Sequence, residues 1–115
     1  MRVLLATHSA ATHTSLGIVC REIWTRLLAA DPTLEVVQHG WFHHPIAEEV
    51  PWDILPTNCL TLEPGPDGRV AGIEDMYGDQ SFRSVAEKVK PDVVWHLGDP
   101  YMGMEVARVA RELGC

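Results

Sequence analysis

No two cysteines of this chain form a Cys-x-x-Cys pair: Cys20, Cys59 and Cys115 are three in number and far apart. An odd, scattered set excludes a disulfide framework and a zinc ribbon, and leaves free thiols that pack as small hydrophobes. Basic residues are also scarce. Nine Lys and Arg against sixteen Asp and Glu give a net charge of −7, spread along the chain. That balance argues against a nucleic-acid backbone or an anionic bilayer as the main partner. No apolar run is long enough to span a membrane, and the first residues read as a strand rather than as a signal peptide. The expected location is the cytoplasm, with any membrane contact peripheral and at the inner face. Glycine-rich fingerprints are missing too: there is neither a dinucleotide nor a P-loop motif, and no Gly-x-Ser-x-Gly elbow. Nucleophilic triad chemistry therefore finds no support, and no repeat or low-complexity tract interrupts the chain.

What is present is a globular composition of 115 residues, 46% apolar and 22% charged, enough for one domain with a real core. Val3, Leu4, Leu5 and Ala6 form a continuous apolar run, the pattern of a central strand covered on both faces. Residues Gly17 to Ala30 read as a helix capped by Thr14 or Ser15, with Ile18, Val19, Cys20, Ile23, Trp24, Leu27 and Leu28 at helical spacing and Arg21, Glu22, Thr25 and Arg26 opposite. Leu34 to His39 is a second strand, completing a β-α-β unit. The aromatics and prolines of Gly40 to Pro56 show no period and read as a structured loop. A third strand is expected within Ile54 to Glu63, followed by a turn at Pro64 to Gly68 that joins a small hairpin to Arg69 to Ala71. Gly72 to Asp79 reads as a loop over the sheet edge.

A helix then starts after Asp79 or Ser81, carrying Phe82, Val85, Ala86 and Val89 on one face and stopped by Pro91. Asp92 to Leu97 reads as the fourth strand. Asp99 and Pro100 have the chemistry of an N-cap and first helical position for a last helix, with Met102, Val106, Val109, Ala110 and Leu113 buried and Gly114 as its stop. This alternation predicts a Rossmann-like α/β domain over residues 1–115: an open, mainly parallel sheet of order 3-2-1-4 with helices on both faces. Ending on a helix leaves the sheet edge open, and the domain is expected to be incomplete at its C-terminus.

Ligands of such sheets bind outside the carboxyl ends of the strands, where the strand order reverses. The first strand-to-helix turn, Thr7 to Gly17, and the turn at His96 to Tyr101 are thus expected to face one crevice. In the first turn His8, Ser9, His13 and Ser15 supply donors, small residues allow close approach, and a helix N-terminus favours anions. His96 is open to two readings, a packed histidine or a ligand contact, and Asp99 to a cap, a site residue or both. His39 and His43 have a metal-like spacing but straddle a strand end, and no metal site is expected.

Two segments carry a resemblance. Thr14-Ser15-Leu16-Gly17-Ile18-Val19-Cys20-Arg21-Glu22-Ile23 with Leu27-Leu28 resembles the first loop and helix of group 1, family 4-like glycosyltransferases. Lys90-Pro91-Asp92-Val93-Val94-Trp95-His96-Leu97-Gly98-Asp99 is similar to that family's Pro-Asp-Val-Val strand. The resemblance implies the N-terminal, acceptor-side half of a GT-B enzyme that moves a sugar from a nucleotide-sugar donor to an acceptor hydroxyl, its second Rossmann-like domain lying outside this chain. It implies Leu16 and Gly17 on the phosphate side, His96 and Asp99 on the sugar side, and no cofactor besides the donor substrate. Ser15 departs from the family, which has a glycine there. Two other expectations stand beside it: a flavodoxin-like module binding a phosphate-bearing ligand without catalysis, and a sugar-nucleotide epimerase of the same architecture.

Overall fold

β1, Arg2–His8, is the strand that the others are built around. It pairs in parallel with β2, Glu35–Trp41, on one side and with β4, Val93–His96, on the other. β3, Asp53–Pro56, adds in parallel to the outer side of β2, giving the order β3-β2-β1-β4. Three helices complete the described elements: α1, Ser15–Ala30; α2, Phe82–Val89; and α3, Met104–Leu113. The chain is seen as a computed structural model that describes residues 1–42, 48–57, 66, 78, 81–101 and 103–115. Residues 58–63 of the expected third strand, most of the expected hairpin over 64–71 and of the loop over 72–79, and Cys59, His43, His44 and Met102 lie outside the described residues.

Alternation along β1 divides the core in two. Leu4 and Ala6 face α2 and α3 and pack with Phe82, Ala86, Val106 and Val109. Val3 and Leu5 point the other way, onto Cys20 and Trp24 of α1 and Trp52. Both faces of β1 are therefore covered, which is why its sequence is apolar throughout rather than alternating. The Rossmann-like arrangement follows directly: α1 on one face of a parallel sheet, α2 and α3 on the other.

Several boundaries differ from the expectation. β2 runs on to Trp41, because its register with β1 continues through Thr7 with Gly40 and His8 with Trp41. β3 begins at Asp53, so the expected loop of Gly40 to Pro56 contains the end of one strand and the whole of another. On α1 only Gly17, Cys20 and Trp24 are buried, while Ile18, Val19, Ile23 and Leu27 remain 38–42% exposed. Arg21, placed on the polar side by its type, is instead mostly covered, its guanidinium donating to the carbonyl of Ala10 at 3.0 Å and lying 3.2 Å from Glu48.

α3 starts later than expected. Its N-cap is Gly103, not Asp99, and Gly103 N–H donates to the carbonyls of Asp99 and Pro100 in a turn before the helix. Leu113, expected on the buried face, is 40% exposed, whereas Gly114 does stop the helix in the left-handed conformation. Ser81 holds the cap position of α2, but its hydroxyl contacts His39 Nε2 at 3.0 Å rather than capping the helix.

Candidate functional site

Thr14 starts α1 with extended backbone, and its hydroxyl accepts the N–H of Gly17 at 3.1 Å, the usual N-cap bond. The turn before it is wound tightly on itself. Ser9 N–H donates to the carbonyl of Trp41, Thr12 donates to the carbonyl of Ser9 through both its N–H and its hydroxyl, and Ser9 Oγ accepts the N–H of Ala11. Ser9, Ala10, Ala11 and Thr12 are all buried as a result. Gly17 belongs to the same packing: a Cβ there would lie 2.5 Å from the carbonyl oxygen of Ser9, so only glycine lets α1 approach the turn this closely.

Gln38 holds the turn from below. Fully buried on β2, it donates from Nε2 to the carbonyl of His8 at 2.8 Å, while its Oε1 accepts the N–H of Ala10 at 3.1 Å and the indole N–H of Trp52 at 3.2 Å. One carboxamide thus bridges Ser9 from both sides and ties the turn to Trp52, which precedes β3. Arg21 and Glu48 clamp the outside, Glu48 N–H donating to the carbonyl of Ala11 at 2.9 Å. Gln38 did not stand out in the sequence, since a polar residue inside a strand has no local signal for a partner thirty positions away.

The second turn reaches the same end of the sheet. Thr7 Oγ1 donates to the carbonyl of Leu97 at 2.6 Å, joining the end of β1 to the residue after β4. His96 shares a face with Val94, toward α2 and α3, and its Nδ1–H donates to the carbonyl of Ala6 at 2.8 Å. Its Nε2 lies 3.5 Å from the carbonyl of Asp99. Gly103 sits against the ring, where a Cβ would come within 2.6 Å of His96 Cδ2. The buried indole of Trp41 lies near both histidines, its ring 6.3 Å from that of His8 and 5.5 Å from that of His96.

His8 and His96, eighty-eight positions apart in the chain, therefore both lie near one aromatic ring at the carboxyl end of the sheet. The expected site residues fall into three groups. His8, half-buried, is packed on Phe42 at 4.8 Å, and burial holds its pKa below the ordinary value. Phe42 itself has a positive φ of 53°, a strained backbone for a bulky side chain. Ser9 is turned into the framework of the turn, and Gly17 N–H is committed to the cap. Ser15 is exposed and Leu16 partly so at the open first turn of α1, His13 is exposed with Glu48 3.6 Å away, and Asp99 is exposed beside His96.

Chemically, this end of the sheet offers a helix N-terminus, two imidazoles and a carboxylate. Arg21 is the cation nearest the first turn among the contacts described, and it is occupied by Ala10 and Glu48. Among the described residues no cluster of three His, Cys, Asp or Glu could hold a metal ion, and no helix is long and apolar enough to cross a membrane. No family model matches the chain, and no curated protein or solved structure shows significant similarity to it.

Proposed function

We propose that this chain is the N-terminal part of a glycosyltransferase, moving a sugar from a nucleotide-sugar donor to an acceptor hydroxyl in the cytoplasm. The observation that supports this most is the convergence of the two turns: in the 3-2-1-4 sheet the rings of His8 and His96 both lie near that of Trp41. A crevice at the strand-order reversal is where α/β sheets bind ligands. The resemblance of the Thr14 to Ile23 and Lys90 to Asp99 segments to family 4-like enzymes supplies the sugar-transfer part of the reading.

In this reading the backbone at Ser15 and Leu16 meets the donor phosphates, favoured by the positive end of the α1 dipole. His96 and Asp99 meet the sugar or the acceptor. Transfer of this kind is mainly electrostatic and positional work on a leaving diphosphate, and an acidic chain with Arg21 already paired leaves the basic contribution to a second Rossmann-like domain.

The test is a transfer assay with these 115 residues and a panel of nucleotide-sugars. No turnover and weak nucleotide binding are expected, with turnover appearing when the second domain is supplied. Efficient transfer by the 115 residues alone would sink the two-domain reading. Firm binding of a coloured, phosphate-bearing cofactor would favour the flavodoxin-like alternative, and conversion of a free sugar nucleotide without acceptor the epimerase.

A further inference from the structure

The hydroxyl of Thr14 has three polar neighbours: Gly17 N–H at 3.1 Å, His8 Nδ1 at 3.0 Å and Thr12 Oγ1 at 3.5 Å. A backbone N–H only donates, so one lone pair of Thr14 is taken by the helix cap. The hydrogen of Thr12 is also spoken for, since it points to the carbonyl of Ser9 at 2.7 Å. Thr14 has one hydrogen to give, and His8 Nδ1 is the nearer of its two acceptors. A neutral imidazole that accepts at Nδ1 carries its proton on Nε2. His8 ends β1 on the face that Leu4 and Ala6 share, and its Nε2 has no bond to any described residue.

We infer that Thr14 is a positioning residue that fixes His8 as a neutral donor, presenting Nε2–H to an acceptor oxygen of a ligand in the crevice. This rests on the reading of the crevice as a ligand site. The oxygen belongs to a phosphoryl group or to a sugar hydroxyl, both of which accept a hydrogen bond from a neutral N–H. Because Thr14 also caps α1, the direction of the ring proton is built into the start of the helix, and the donor needs no reorientation when a ligand arrives. The burial that holds down the pKa of His8 acts in the same sense.

Nitrogen NMR of the His8 ring at neutral pH decides the matter, because protonated and bare ring nitrogens give separate signatures. The wild type and Thr14→Ser are expected to carry the proton on Nε2. Thr14→Asp keeps an acceptor for Gly17 N–H but has no hydrogen to give, so the ring proton should appear on Nδ1. A wild-type ring protonated on Nδ1, or a Thr14→Asp ring unchanged from wild type, would overturn the proposal. If Thr14→Asp does not fold, Thr14→Ala takes its place: without the hydroxyl the ring is expected to lose its single Nε2–H state, and an Nε2–H signature unchanged from wild type would overturn the proposal.

Inorganic pyrophosphate and free glucose, added separately to the wild type, distinguish the two oxygen sources by which of them moves the Nε2 signal. Shifts elsewhere in the crevice with the proton on Nδ1 would sink the role of Thr14 and leave the ligand site standing. A proton on Nε2 with no shift from either probe would remove the ligand role of His8 and count against the crevice itself.

Discussion

Gln38 Nε2 donates to the carbonyl of His8 across 2.8 Å from a fully buried position on β2. The same carboxamide accepts from Ala10 and Trp52, so the shape of the first turn depends on one amide. Gln38→Leu keeps the volume but strands three polar groups in the interior. A loss on the order of 3 kcal/mol is expected, at the level of one buried hydrogen bond or more per stranded group. Urea unfolding of the variant checks this, and a change within about 0.5 kcal/mol, as for a neutral surface substitution, would show that the turn does not lean on Gln38.

Gly103 and His96 make a second dependence. A Cβ at Gly103 would lie 2.6 Å from the imidazole, so Gly103→Ala must displace the ring or the turn. A destabilisation of about 1–3 kcal/mol is expected, as for overpacking elsewhere. The Nδ1–H bond from His96 to Ala6 should be lost with it, which the ring proton resonance of His96 reports.

Burial lowers the pKa of His8 in the folded chain from the ordinary histidine value of about 6.5. The unfolded chain then takes up a proton first as pH falls, so the contribution of His8 to stability is full above about pH 6.5 and is lost progressively below it. Unfolding free energies measured from pH 7.5 to 5 should fall less steeply in His8→Asn than in the wild type. Equal slopes would mean that His8 titrates alike in both states.

Cys20 is fully buried against the sheet, and burial pushes its thiol up to about 12. At pH 8 the thiolate fraction is then roughly one in ten thousand. Alkylation of the native chain should spare Cys20 and modify Cys115, which is partly exposed, with Cys20 reacting only after unfolding. Labelling of Cys20 at the rate of a free thiol would contradict the packing of α1 on β1.

Much of the fold was legible because local chemistry and long-range packing agreed. The run Val3 to Ala6 named a central strand, Thr14 announced a helix start, and the two β-α units set the order of the sheet. Asp99 and Pro100 misled for a physical reason. They have the residue types of a helix start, yet the chain makes a separate turn there so that Gly103 can lie under His96, and α3 begins only afterwards. Arg21 and Gln38 were illegible for another. Their partners are the carbonyls and N–H groups of the first turn, and nothing about a lone polar residue on an apolar element says which backbone group waits across the fold. The expected neighbours His8 and His96 could be placed together only through the strand order. Trp41, whose ring lies near both, reads in the sequence as part of a loop.

The measurement that bears most directly on the account is a titration of the isotope-labelled chain with a uridine diphosphate sugar up to millimolar concentration, followed by amide and imidazole NMR. The account predicts shifts confined to His8, Ser15, Leu16, His96 and Asp99 and their immediate neighbours, with weak affinity. Shifts clustered at the opposite end of the sheet, around Lys90, Pro91 and Cys115, would contradict it, as would a spectrum that does not change at all.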